Sequence, residues 1–186
     1  ILDKTEEVPS PDGEGVGVTS ELNTARDDYV NFTISTINCD LKGLKIAMDC
    51  ANGASFETSP RAMRKLGADL LVINNDPDGL NINRNCGSTH LGMLRKFTAD
   101  NGCDIGLAFD GDADRLLAVD ENGRVVDGDK IMAIIGLDLK SRGLLKNNTI
   151  VATVMSNLGL DVMARENGIG IIKTAVGDRY VLEKML

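Results

Sequence analysis

The stretch Ile105-Gly-Leu-Ala-Phe109-Asp110-Gly-Asp-Ala-Asp-Arg115 decides how this 186-residue chain is read. Residues 105–109 are apolar throughout, the pattern of a strand buried on both faces near the centre of a sheet. The next six place carboxylates at 110, 112 and 114 and a guanidinium at 115. Alternate residues of an extended segment project the same way, so the acids are expected to converge where the strand ends. Carboxylates crowded like this repel one another unless a cation lies between them. An all-oxygen set suits Mg²⁺, which keeps positions open for water or phosphate. Ligands of open α/β sheets gather beyond the carboxyl ends of strands, where Asp110 stands. Arg115 beside a metal is unfavourable without a further anion, which implies a phosphate at the same place.

Other readings of the same loop are a solvated acidic turn and two known loop types. A calcium-binding EF-hand would use Asp110, Asp112, Asp114 and Glu121 as ligands. It would also need glycine where Arg115 stands and a helix on each side, whereas both flanks here read as strands. The start of a haloacid-dehalogenase phosphatase needs Asp-x-Asp-x-Thr after an apolar strand. Asp110 and Asp112 fit it, but Asp114 occupies the threonine place.

Outward from this loop, the chain alternates strands and helices. Residues 44–48 and 69–73 read as strands joined by a helix over 55–66, and residues 89–101 as a helix leading into the 105–109 strand. Residues 115–119 and 124–126 read as strands turned by Glu121-Asn-Gly123. A helix over 129–140, capped by Asp127 or Asp129, a strand over 149–153, a helix over 158–167, a strand over 169–173 and a helix from 178 continue the alternation. Ahead of these, residues 24–37 are helix-compatible, with Tyr29, Val30, Phe32 and Ile37 as the apolar side. The fold class is therefore α/β: a mixed, mainly parallel sheet with flanking helices, followed by an incomplete second α/β domain. The expected organisation is a linker or mobile segment over 1–20, a metal-binding domain over 21–126 and the first part of a second domain over 127–186. An incomplete domain exposes an apolar face or sheet edge, which favours self-association.

Composition narrows the function classes. Lys and Arg number 20 against 28 Asp and Glu, a net charge of −8, which argues against a nucleic-acid surface. No apolar run approaches the roughly 20 residues of a membrane span. The four cysteines have no CxxC spacing and the only histidine is His90, so a zinc cluster is not expected. Scattered thiols and no signal peptide point to a reducing cytoplasm. The chain opens at Ile1 rather than Met, so it is expected to be internal to a longer protein.

Three secondary features carry weaker signals. In Thr174-Ala-Val-Gly-Asp-Arg-Tyr180, Gly177 allows a turn, Asp178 can cap a helix and Arg179 can reach a phosphate or hydroxyls. Asp49-Cys-Ala-Asn-Gly-Ala-Ser55 reads as a structural turn rather than a phosphate cradle. His90, in Asn85-Cys-Gly-Ser-Thr-His90, is expected early in a helix as a surface or capping residue rather than a base.

Taken with Val126-Asp-Gly-Asp129, the 110–115 loop resembles the metal loop of the α-D-phosphohexomutases. Cys86-Gly-Ser-Thr-His90, Val154-Met-Ser-Asn-Leu-Gly159 and Ala175-Val-Gly-Asp-Arg-Tyr-Val181 narrow the resemblance to the bacterial phosphoglucosamine mutases, from about Pro9 onward. The resemblance implies Asp110, Asp112 and Asp114 as Mg²⁺ ligands and Arg115 as a catalytic residue steadying phosphate. It places Asp178 and Arg179 on a sugar-facing loop. It implies a cytoplasmic enzyme that moves phosphate through a phosphoserine and a bisphosphate intermediate, between glucosamine 6-phosphate and glucosamine 1-phosphate, for cell-wall precursors. The partner is then a phosphosugar, not nucleic acid or membrane. The family's Ser-His-Asn-Pro segment and Glu-x-Ser-Gly-His loop do not occur in these residues, so the chain matches the second domain and part of the third, and is expected to be inactive alone. The alternatives are a phosphomannomutase or phosphoglucomutase relative, or a non-catalytic domain binding Mg²⁺ or a phosphosugar.

Overall fold

The computed structural model describes residues 11–186. The first ten residues of the expected linker lie outside them, and the remainder carries a 3-10 turn at Gly13–Gly15. Chain order then runs α1 (Ala25–Ser35), β1 (Lys45–Asp49), α2 (Thr58–Lys65), β2 (Asp69–Ile73), α3 (Gly92–Asp100), β3 (Ile105–Phe109), β4 (Leu116–Asp120) and β5 (Val125–Val126). After these come α4 (Gly128–Ser141), β6 (Thr149–Thr153), α5 (Leu158–Glu166), β7 (Gly170–Thr174) and α6 (Asp178–Met185).

The first five strands form one sheet in the order β2-β1-β3-β4-β5. β2, β1 and β3 are parallel, with Met48 opposite Val72 on one side and Leu107 on the other. β4 returns antiparallel to β3, and β5 pairs antiparallel with β4. β3 is thus the central strand, as its unbroken apolar run requires. Strand side chains alternate between faces. On one face Ala47, Ala108 and Val119 meet Leu94 and Cys103, with Leu91 and Phe97 of the α3 region closing over them. Residues 91, 94 and 97 recur at helical spacing, so a single stripe of α3 supplies this layer.

α1 departs from expectation. Only Val30 is buried, while Phe32 is 67% exposed and Tyr29 is also exposed. At about 100° per residue, Phe32 lies nearly opposite Val30, so the apolar residues do not share one face. α1 is held against α2 largely by polar contacts: Arg26 to Glu57 at 2.9 Å, Arg61 to Asp27 at 3.1 Å and Lys65 to Asn31 at 2.9 Å.

β6 and β7 form a separate two-stranded parallel sheet. Ile150, Ala164 and Ile169 make its small core. Asp127 caps α4 by accepting from the Lys130 N–H at 3.0 Å, and Asn157 caps α5. No helix among the described residues is long and apolar enough to cross a membrane.

Candidate metal centre

The strand order 2-1-3 means that the chain leaves β1 toward one side of the sheet and returns through β3 on the other. β1 and β3 therefore lie side by side with a crevice beyond their carboxyl ends, the place where such sheets bind ligands. β1 ends in Asp49, and Asp110 follows directly on β3.

Carboxylate oxygens of Asp110, Asp112 and Asp114 all lie within 4.8 Å of one another. The cause of the convergence differs from the expected one. The segment is not extended strand but a tight turn, in which the Ala113 N–H donates to the Asp110 carbonyl at 3.1 Å and Ala113 has φ +62°. The turn folds Asp114 back toward Asp110, where alternation along a strand would have carried it about 13 Å away. Asp110 is 1% exposed, whereas Asp112 and Asp114 face solvent.

The electrostatics are those of a crowded acidic site. Burial pushes the Asp110 carboxyl up, but the backbone N–H of Arg115 and its guanidinium outweigh this and hold it below the usual carboxylate range. Asp114 is pushed up, by desolvation first and then by the charges of Asp112 and Asp110. Arg115 donates from Nε to Asp110 Oδ2 at 2.5 Å and lies 3.4 Å from Asp114 Oδ1, and its side chain is largely exposed. The guanidinium neutralises part of the cluster and stands at its solvent side, with donors left for an arriving anion.

This donor set fits Mg²⁺. It offers only hard oxygen ligands, and octahedral coordination at about 2.1 Å places ligand oxygens roughly 3–4 Å apart, a small contraction from the spacing seen. Asp112 and Asp114 sit on an exposed turn that can make that adjustment.

Elsewhere the predicted residues are spread out. Asp178 and Arg179 begin α6, on the other sheet, and no hydrogen bond or ion pair among the described residues joins them to the acidic trio. The N-cap of α6 is Gly177, at φ 139°, so Asp178 does not cap as expected but is the first helical residue. Arg179 pairs with Glu183 one turn along at 2.9 Å. His90 lies in the turn before α3, not on the helix, exposed and paired with Thr89 Oγ1 at 3.1 Å.

The residues around the acidic turn were not singled out from sequence as a site. Ala54 N–H donates to the Gly111 carbonyl at 2.8 Å, and Ser88 N–H to the Phe109 carbonyl at 2.9 Å. These backbones approach so closely that a Cβ at Gly53 would strike the Gly111 carbonyl, and one at Gly87 would sit 2.5 Å from the Phe109 carbonyl. The available signal was the pair of largely apolar runs, 44–48 and 105–109, each followed directly by Asp. Their adjacency depends on strand order, which local pattern does not carry.

Fold and site define an α/β protein with three carboxylates and an arginine gathered at the switch point of its main sheet. Residues 27–123 match the family model described as phosphoglucomutase/phosphomannomutase, alpha/beta/alpha domain II, and residues 127–186 match that of domain III. The chain belongs to the phosphoglucomutase/phosphomannomutase family. It is 65% identical over 186 residues to a phosphoglucosamine mutase of Acetivibrio thermocellus, spanning all of this chain and 41% of that protein. A phosphoglucosamine mutase of Clostridium novyi is 61% identical, again over all of this chain and 41% of the relative. A phosphoglucomutase/phosphomannomutase family protein of Burkholderia thailandensis superposes with a TM-score of 0.73 at 26% identity, over 87% of this chain and 35% of that one. The chain thus spans about two fifths of the length of the curated relatives it matches.

Proposed function

We propose that this chain is the cation-holding portion of a cytoplasmic phosphoglucosamine mutase, which interconverts glucosamine 6-phosphate and glucosamine 1-phosphate through a phosphoserine and a bisphosphate intermediate, toward peptidoglycan precursors. The observation that carries the reading is the converged trio Asp110, Asp112 and Asp114 beside Arg115, in a chain with whole-length similarity to mutases of that name. Residues 21–126 and 127–186 are read as two successive domains of that enzyme.

Asp110, Asp112 and Asp114 would hold Mg²⁺, which when bound would supply Lewis-acid neutralisation of phosphoryl oxygens. The chain's own groups do the rest. Asp110, buried and kept ionised by Arg115, provides a fixed anchor. Asp112 and Asp114, on the exposed turn, close toward it. Arg115 presents guanidinium N–H groups to the phosphate at the same point, which orients the group for transfer. Asp178 and Arg179 are read as contacts to the sugar hydroxyls, with Arg179 leaving Glu183 on substrate arrival. The nucleophilic serine belongs to sequence outside these residues, so the chain alone is expected to show no turnover.

The test is a calorimetric Mg²⁺ titration of the chain and of Asp112→Asn, which removes one charge at constant size. Binding is expected to weaken by at least about tenfold, the least seen when a metal site loses even an outer partner. Equal affinity for both proteins overturns the ligand set, and measurable mutase turnover by the isolated chain overturns its dependence on outside residues.

A further inference from the structure

Asp49 is 0% exposed, and the cation chemistry described above gives it no part. Its two carboxylate oxygens are spent on different segments. Oδ1 accepts from the Ala51 N–H at 2.9 Å, within the turn that follows β1. Oδ2 accepts from the Gly87 N–H at 2.9 Å, 38 residues away in the long loop before α3. No salt bridge to Asp49 occurs among the described residues. Burying a carboxylate with no cation beside it is costly, and a turn can be closed by cheaper groups.

What the carboxylate joins explains the expense. The turn after β1 holds the acidic loop from one side, through Ala54 N–H to the Gly111 carbonyl at 2.8 Å. The loop containing Gly87 holds it from the other, through Ser88 N–H to the Phe109 carbonyl at 2.9 Å. The two clamps also bind each other, through Asn83 N–H to the Ala51 carbonyl at 2.9 Å. Phe109 and Gly111 flank Asp110, the buried member of the trio. A single side chain therefore ties together both supports of the segment that presents the ligands. A carboxyl group offers two oxygen acceptors on one short, stiff side chain, which suits a post that must hold two loops at once.

We propose that Asp49 is a positioning residue for the Asp110–Asp114 turn, setting the spacing of its carboxylates without touching the cation. This rests on the cation reading above.

The experiment compares the chain with Asp49→Asn, nearly the same size, whose amide offers one acceptor and one misplaced donor. Mn²⁺ affinity is read by electron paramagnetic resonance, and metal-free backbone exchange by NMR. Mn²⁺ binding is expected to weaken about 10- to 100-fold, as when groups supporting ligands are removed. Exchange at Ala54 and Ser88 is expected to speed up, while Val151 and Ile171 in the second sheet stay protected. Unchanged affinity overturns the proposal, even if exchange speeds up, because Asp49 would then support only the loops. A wild-type chain that binds no Mn²⁺ overturns the cation reading and the positioning role together, so the two failures are distinct. If the variant does not fold, an Mg²⁺ titration of the wild-type chain decides: the Ala51 and Gly87 amide signals should shift with the same midpoint as those of residues 110–114, and signals that stay fixed through saturation overturn the proposal.

Discussion

At the scale of single residues, the site depends on how closely three backbone segments approach. Gly53 is the tightest point, since a Cβ there lands on the Gly111 carbonyl. Gly53→Ala is expected to cost about 1–3 kcal/mol, the usual penalty for forcing atoms into a packed space. Urea unfolding measures the loss, and Mg²⁺ affinity should fall with it because Gly111 carries the acidic turn. A variant as stable as the parent would show that the segments part easily. Cys50, in the turn after β1, has its thiol pushed up from 9.0 to about 11, first by burial and then by the Asp49 charge, against a hydrogen bond from Ser55. A folded value above the unfolded one means that the neutral thiol stabilises fully below pH 9.0 and that this is lost as pH rises through about 11. Cys50→Ala is expected to flatten the fall in stability across that window. Denaturant midpoints at pH 8 to 11 check it, and parallel profiles would count against it.

At the scale of elements, α3 is the helix on which the main sheet depends. Leu94 is completely buried between Ala47, Ala108 and Val119. Leu94→Ala is expected to cost about 2–5 kcal/mol, the transfer term plus the cavity left behind. Chemical denaturation followed by circular dichroism measures this, and a loss under 1 kcal/mol would mean that the layer collapses to fill the space. α1 is the opposite case, a helix held by ion pairs whose partners are mostly exposed, with Glu57 half-buried, so each pair is worth little in water.

At the scale of the whole molecule, the two sheets differ in how well they are covered. The second has two strands, each with one unpaired edge. Beside it lies an apolar groove of about 590 Å³ lined by Met132, Ile135, Leu144, Ile150, Ile172 and Met185. Ile135, Leu144, Met185 and Leu186 among its lining are exposed. A surface of this kind favours contact with a second copy. Light scattering is expected to show a mass that rises with concentration, and that returns toward the monomer with Ile135→Lys. A monomer at every dilution would exclude this.

Strand and helix positions were legible in local pattern because burial imposes its period directly: Asp69–Ile73, Ile105–Phe109 and Thr149–Thr153 were read at their observed bounds. The gathering of Asp110, Asp112 and Asp114 was also legible, since three aspartates at alternate positions directly after a buried strand are held close together. Long-range order was not. That β1 lies beside β3 follows from a crossover whose direction no short window encodes, and with it go the clasp of Asp49 on Gly87 and the clamps on Gly111 and Phe109. The acids converge through a turn with Ala113 at positive φ, a backbone state that alanine does not announce. Composition and period are local quantities, whereas the spacing of the carboxylates is set by neighbours up to about sixty residues away in sequence, brought into contact only when the sheet closes.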